Sequence, residues 1–176
     1  MPQPDRKTCI PEFDLRRPGP EDGAAIWELV RDCKPLDENS MYCNLIQCDH
    51  FRDTCVLAGS RGEAVGWVSA YFLPDDPTTL FVWQVAVSAA ARGTGLGVRM
   101  IEHLLGRAEC RGIEQLQTTI TSDNDASWGM FRKLARARGG ALSHTAHFTR
   151  DGHFDGRHAT EHMVTIDLPE RLKKAA

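Results

Sequence analysis

A chain of 176 residues, 41% hydrophobic and 26% charged, is long enough for one domain around a single core and has the make-up of a soluble globular protein. A net charge of −3 and a pI near 6.1 argue against nucleic acid as partner and suit a small cationic substrate. No apolar run approaches the roughly 20 residues that span a bilayer, and residues 1–11 lack the apolar core of a signal peptide; they are expected to form a disordered leader on a cytoplasmic protein. Residues 13–17 read as a short strand, stopped by Pro18-Gly19-Pro20. Pro20 suits a first helical turn, and Glu21 and Asp22 favour its positive end. Ile26, Leu29, Val30 and Cys33 then form an amphipathic stripe that Pro35 ends. Asp37-Glu38-Asn39-Ser40 is polar and caps a second helix over about 41–48. Strands are predicted at 54–58 and 64–73, joined by Arg61-Gly62-Glu63 as a hairpin, and a loop at 74–77 leads to a central strand at 80–88. A glycine loop precedes a helix at 98–108, the threonine-rich segment 113–121 is a fifth strand, and Ser122-Asp123-Asn124 caps a helix at 126–137 that Gly139-Gly140 stops. Two last strands, 141–148 and 160–168, enclose a Gly-, His- and Asp-rich loop at 150–158.

The glycine loop is Arg92-Gly93-Thr94-Gly95-Leu96-Gly97. A strand, a glycine turn and a helix start in that order leave free backbone N–H groups at a positive helix end, which suits a phosphate. No Gly-Lys-Ser/Thr follows, so the loop is not a P-loop, and its glycines run G-x-G-x-G rather than in the dinucleotide spacing. It fits Arg/Gln-x-x-Gly-x-Gly/Ala at Arg92, Gly95 and Gly97, and here it resembles the pyrophosphate loop of the GNAT acetyltransferase superfamily. The order β-α-α-β-β-β-α-β-α-β-β, from about residue 13 to 168, is that superfamily's order. The resemblance implies an α/β (α+β) GNAT fold with about six to seven strands, about four helices and a cleft where the fourth and fifth strands splay apart. One domain at 12–168 and a tail at 169–176 are expected.

Acyl transfer from a thioester to an amine requires a neutral amine beside the carbonyl, donors for the oxyanion and a fate for the departing thiolate. The resemblance implies acetyl-CoA as cosubstrate. Its pantetheine arm would lie along Val85, Ala86 and Val87, with a backbone N–H there, at Val85, polarising the thioester carbonyl. Arg92, Gly93, Thr94, Gly95, Leu96 and Gly97 would hold the pyrophosphate. The superfamily's second motif, approximately Asn-x-x-Ala/Ser-x-x-Leu-Tyr, reads Asn124 to Phe131 here and assigns Asn124 and Phe131 to the coenzyme side. Phe131 replaces the usual tyrosine acid and cannot donate a proton. Tyr42, in the second helix, is the substitute we consider, with a packing role as its alternative.

Further segments resemble the diaminobutyrate acetyltransferases within that superfamily. They are Leu36-Asp37-Glu38-Asn39-Ser40-Met41-Tyr42-Cys43-Asn44-Leu45, 48–55, 79–87, Thr118-Thr119-Ile120-Thr121 and His158-Ala159-Thr160-Glu161; Asn44 departs from a common tyrosine, whereas Phe131 is shared. Acetylation of the γ-amine of L-2,4-diaminobutyrate, the first committed step of ectoine synthesis, is the activity implied. Such a site must grip the α-ammonium, which calls for carboxylates. Asp37 and Glu161 are the candidates, with Trp83 as a flat apolar wall. Helix capping is the alternative for Asp37, solvation for Glu161 and core packing for Trp83. His144, His147, His153, His158 and His162 crowd the C-terminal part, and His158 or His162 is the candidate base. No metal is expected. Cys43, Cys48, His50 and Cys55 match no common zinc spacing, and without a signal peptide the six cysteines read as reduced thiols, several of them buried. The resemblance implies a homodimer, for which apolar C-terminal strand material offers an edge. Two rival readings stay open at this level: an acetyltransferase for another small diamine or amino acid, and a non-catalytic acetyl-CoA-binding module.

Overall fold

A computed structural model describes residues 12–169; the expected leader at 1–11, and the tail at 169–176 beyond Pro169, lie outside the described residues. The strands are β1 (Asp14–Arg16), β2 (Val56–Ser60), β3 (Glu63–Leu73), β4 (Asp76–Val87), β5 (Gln115–Thr121), β6 (Ala141–Phe148) and β7 (Glu161–Asp167). The α-helices are α1 (Gly23–Asp32), α2 (Met41–His50), α3 (Leu96–Leu105), α4 (Asp125–Arg138) and a single turn, α5 (Arg150–His153). The strands form one seven-stranded sheet in the order β1-β2-β3-β4-β5-β7-β6. Only β4 and β5 run parallel; every other pair is antiparallel.

Alternation along the strands divides the core between the two faces of this sheet. Helices α3 and α4 bring Leu96, Met100, Ile101, Leu104, Phe131 and Leu134 onto one face, against Val68, Leu80, Val82, Leu116, Val164 and Ile166. Helices α1 and α2 bring Ile26, Leu29, Val30 and Cys48 onto the other, against Leu57, Trp67 and Ala86. Each fully buried Leu or Ile adds roughly 1.5–3 kcal/mol, so both layers are needed to hold the sheet. Cys33, Cys48, Cys55 and Cys110 are buried, as expected of small apolar residues, and burial raises the Cys48 and Cys55 thiols to about 12.

Two features of β4 shape the sheet beside it. Val82 pairs with Ala70 and Gln84 with Ser69, so Trp83 is an extra residue, a β-bulge. Ahead of the bulge Leu80 and Val82 face α3 and α4; after it Val85 and Val87 do. The β4–β5 ladder spans only Thr79–Phe81 against Gln115–Gln117, whereas β5 keeps its pairing with β7 through Thr121. Beyond Phe81 the two parallel strands part, as the splayed cleft expected from the sequence requires.

Differences from the sequence reading are local. The predicted loop at 74–77 is shorter, because the Asp76 carboxylate accepts from the Thr78 amide and from the Thr78 and Thr79 hydroxyls and lets the strand begin there. A 3-10 turn at Arg52–Thr54 was not anticipated; Thr54 fastens it by donating its hydroxyl proton to the carbonyl of Ala70 at 2.5 Å. The loop at 150–158 holds α5, capped by Thr149. No helix among the described residues is long and apolar enough to cross a membrane.

Candidate active site

A cleft of about 630 Å³ opens where β4 and β5 part. Its floor is the strand pair itself, with Val85 on one side and Thr119 and Thr121 on the other. The start of α4 (Asn124, Ser127, Phe131) closes one wall, and the loop before α2 together with the start of β7 closes the opposite one.

The glycine loop lies at the end of β4. Gly93 and Gly95 adopt φ of +77° and +78°, a left-handed conformation that side chains with a Cβ rarely take. Gly95 is the N-cap of α3, so the first-turn amides of that helix stay without intrahelical partners. The Arg92 Nε donates to the carbonyl of Val87 at 3.3 Å and the Thr94 hydroxyl to that of Ala91 at 2.7 Å, fastening the loop to the strand end. Leu96 and Gly97 are buried instead. A Cβ on Gly97 would stand 2.5 Å from the Met130 sulfur, so this glycine lets α3 approach α4. Lys133, which the sequence reading did not select, brings its Nζ to 3.6 Å from the position of a Cβ on Gly95. The signal was available: Lys133 follows Phe131 by two residues, and α4 starts beside the loop. Backbone amides, a helix N-terminus and one ammonium make a cradle for a polyphosphate.

Asn124 caps α4 by accepting from the Ser127 amide at 3.1 Å and lines the cleft as well. Phe131 is 2% exposed and belongs to the core while its edge reaches the cleft. Val85 lines the cleft; Ala86 packs toward α1, and Val87 stands nearer the loop.

Asp37, His158 and Glu161 meet on the other wall. The His158 Nε2 lies 3.8 Å from the Asp37 carboxylate and 3.9 Å from that of Glu161. The His158 Nδ1 is 2.8 Å from the carbonyl of Ala159. A carbonyl only accepts, so Nδ1 carries a proton, and Nε2 faces both carboxylates. Phe154 supports the imidazole, ring centroid to ring centroid 4.6 Å. Burial is the largest influence on Glu161 and raises its carboxyl above the ordinary 4.5, against the attraction of His158 and a hydrogen bond from Thr119. Asp37 differs: its side chain is 90% exposed. It does not cap α2. Ser40 does, accepting from the Cys43 amide at 3.1 Å, which removes the capping alternative. Nor is Trp83 a core residue, since the bulge leaves it 48% exposed, edge-on to Tyr71 at 6.4 Å.

Ala86, Val87 and the glycine loop do not line this cleft, and two residues selected for catalysis, Tyr42 and His162, are not brought to it either. Tyr42 lies in the first turn of α2, 71% exposed, because that helix buries Asn44, Gln47 and Cys48 instead. His162 follows Glu161 on β7 and therefore points to the other face, where it meets His144 edge-on with ring centroids 5.9 Å apart while His144 meets Trp128 at 5.0 Å. Among the described residues no three His, Cys, Asp or Glu side chains gather as a metal site.

Comparison with known proteins returns one family. The model of the acetyltransferase (GNAT) family matches residues 23–135. The L-2,4-diaminobutyric acid acetyltransferase of Vibrio cholerae is 46% identical over 167 residues, 95% of this chain and 96% of that one. Its counterpart from Methylotuvimicrobium alcaliphilum is 45% identical over 160 residues, 91% and 93% of the two chains. Among solved structures, the diaminobutyrate acetyltransferase EctA from Paenibacillus lautus, in complex with L-2,4-diaminobutyric acid and coenzyme A, superimposes with a TM-score of 0.86 at 36% identity, over 90% of this chain and 96% of that one.

Proposed function

This chain belongs to the GNAT acetyltransferase family, and from that premise we infer that it transfers the acetyl group of acetyl-CoA to the γ-amine of L-2,4-diaminobutyrate, giving N4-acetyl-L-2,4-diaminobutyrate as in ectoine biosynthesis. The observation that carries this reading is the identity to diaminobutyrate acetyltransferases over nearly the whole chain, joined to a cleft that gathers two carboxylates and to a glycine loop with free helix-start amides at the end of β4.

The pyrophosphate of the coenzyme lies on the amides of 93–97 beside Lys133, and the pantetheine arm follows the unpaired edge of β4 past Val85 to Val87. The Val85 amide polarises the thioester carbonyl. Asp37 and Glu161 hold the α-ammonium, and Trp83 supplies the apolar wall for the methylenes. The His158 Nε2, which lies between the two carboxylates, accepts the proton of the γ-ammonium. The neutral amine then attacks the carbonyl directly. Phe131 leaves the cleft without a phenol at the usual acid position. As the C–N bond forms and the C–S bond breaks, the thiolate departs, which its ordinary pKa of about 8.5 permits at modest cost, and it takes up through solvent the proton that the attacking nitrogen releases on becoming an amide.

Purified protein with acetyl-CoA and a panel of diamines tests this. Acetylation of diaminobutyrate in clear preference to ornithine, lysine and putrescine is expected. Comparable rates across the panel would point to a general small-amine acetyltransferase, and no turnover to a coenzyme-binding module. A cytoplasmic homodimer belongs to the same reading. Among the described residues the eight-residue β6 is paired on one side only, whereas β1 at the opposite edge has three residues, so β6 is the edge suited to a second copy. A light-scattering mass near the 19.6 kDa of one chain at micromolar concentration would refute the dimer.

A further inference from the structure

Residues 80–87 carry one amide in an otherwise apolar strand, Gln84, and it is 7% exposed. Burying an amide without partners is costly, so both ends of this one have to be satisfied. They are satisfied outside the sheet. The Gln84 Nε2 donates to the carbonyl of Asp37 at 2.9 Å, and its Oε1 accepts from the Asn39 Nδ2 at 3.3 Å. The Asn39 carbonyl in turn accepts from the Trp27 Nε1 at 3.0 Å, tying the same loop to α1.

The bulge makes this contact possible. In a regular strand Gln84 and Trp83 would point to opposite faces. With Trp83 as the extra residue, Gln84 is paired with Ser69, and Trp83 contacts Tyr71 on the same side of β3. One irregularity therefore aims Trp83 into the cleft and anchors the Asp37 loop beside it. The loop needs that anchor. The Asp37 carboxylate is 90% exposed, with His158 at 3.8 Å as its ion-pair partner, so its place depends on its backbone.

We propose that Gln84 is a positioning residue that fixes the distance between the Asp37 carboxylate and the acetyl donor, and so selects the diamino acid by chain length. The proposal rests on the reading of Asp37 as an α-ammonium site and of Val85 as the thioester's neighbour. Gln84 and Val85 are consecutive on one strand. The grip on one amine and the acceptor position of the other are thereby joined through a single peptide unit and two hydrogen bonds. A substrate with one methylene more or fewer requires the loop to shift, and Gln84 opposes the shift.

The test is a double-mutant cycle with Gln84→Met, which keeps the volume and removes both hydrogen bonds, and Asp37→Asn. Gln84→Met is expected to lower kcat/KM for diaminobutyrate about tenfold, to change that for ornithine and 2,3-diaminopropionate less, and to leave the KM for acetyl-CoA in place. In the Asp37→Asn background the same substitution should add little further loss, because its effect passes through Asp37. Gln84→Glu keeps the bond from Asn39 and loses the one to the Asp37 carbonyl; it should reproduce the weakened preference for diaminobutyrate and decides the matter if the Met variant does not fold. Fully additive losses, equal losses for all three diamines, or a matching rise in the KM for acetyl-CoA would each overturn the proposal and reduce Gln84 to a packing residue. If Asp37→Asn alone leaves diaminobutyrate kinetics untouched, the substrate role of Asp37 has failed first, and the clamp falls with it.

Discussion

The glycine loop beyond β4 and the carboxylate wall of the cleft are made of different material. The proposed coenzyme end is a contiguous segment, Arg92 to Gly97, whose working groups are backbone amides at a helix start, with Lys133 added from α4. The substrate end is assembled from side chains of three distant segments: Asp37 before α2, Trp83 on β4, and His158 with Glu161 at β7. A backbone site is encoded by the local conformation of one loop and tolerates side-chain change wherever φ allows it. A side-chain site is encoded by topology and fails one residue at a time. Substitutions at the two ends should therefore separate cleanly, coenzyme affinity at one and amine selectivity at the other.

The largest effect is expected at Gly95. With φ at +78° any side chain is strained there, and an aspartate also sets a carboxylate against the phosphates. Gly95→Asp should lose at least about a hundredfold in coenzyme A affinity by calorimetry, about 2.7 kcal/mol, with the fold retained. Unchanged binding in a folded variant would move the phosphate elsewhere. Gly97 is a poor choice for the same experiment, since its Cβ space is taken by Met130 and a substitution would disturb packing.

At the opposite end, Asp37→Asn should weaken diaminobutyrate roughly ten- to a hundredfold in kcat/KM, the equivalent of about 1.5–3 kcal/mol for a charge-assisted contact, and leave the KM for acetyl-CoA alone. Ser40 holds the helix cap, so stability should not change. If both substrates lose equally, the division between the two ends is false.

Lys133→Ala sharpens the same division with a smaller effect. Its ammonium stands at the surface beside Gly95, where screening limits a single phosphate contact to a loss of about threefold to tenfold. That loss should fall on coenzyme A alone and shrink as salt is added. An effect on the KM for diaminobutyrate would contradict the assignment.

The same contrast explains what the sequence disclosed. The fold was legible almost throughout, because periodicity, Pro20, Ser122 to Asn124 and the glycine pairs act locally, and the turn at 92–97 into α3 was legible for the same reason. Asp37, Trp83 and Glu161 were reached through resemblance and the charge of the implied substrate, and His158 by residue type; the cleft brings all four together. Tyr42 and His162 were chosen by residue type, and residue type does not reveal which face of a helix or strand a side chain occupies. A parity count along 160–168 separates Glu161 from His162, yet it does not tell which parity faces the cleft until β7 is placed beside β5. The bulge at Trp83 is illegible in the same way. It arises from the pairing of β4 with β3, and without it Gln84 reads as one polar residue in an apolar run.

The smallest effect, and the finest distinction within the substrate end, concerns Glu161. Burial holds its carboxyl above 4.5, so the folded chain keeps this proton to higher pH than the unfolded chain does. Such a group contributes stability that is fully present below the unfolded value and is lost as the pH rises through the folded one. The advantage of wild type over Glu161→Gln in thermal unfolding should therefore be greatest in acid and should decline through the window just above pH 4.5, by about a few degrees in Tm. Substrate binding runs the other way. The α-ammonium requires the ionised carboxylate, so the KM of wild type for diaminobutyrate should fall as the pH rises through that window, and Glu161→Gln should flatten this limb of the profile. Asp37, exposed in the same wall, gives the control, because Asp37→Asn should keep the limb and move it slightly toward lower pH, the Asp37 charge being one of the influences that raise Glu161. A Tm difference that stays constant with pH would mean that burial does not govern Glu161, and a KM limb that survives in Glu161→Gln would assign it to another group.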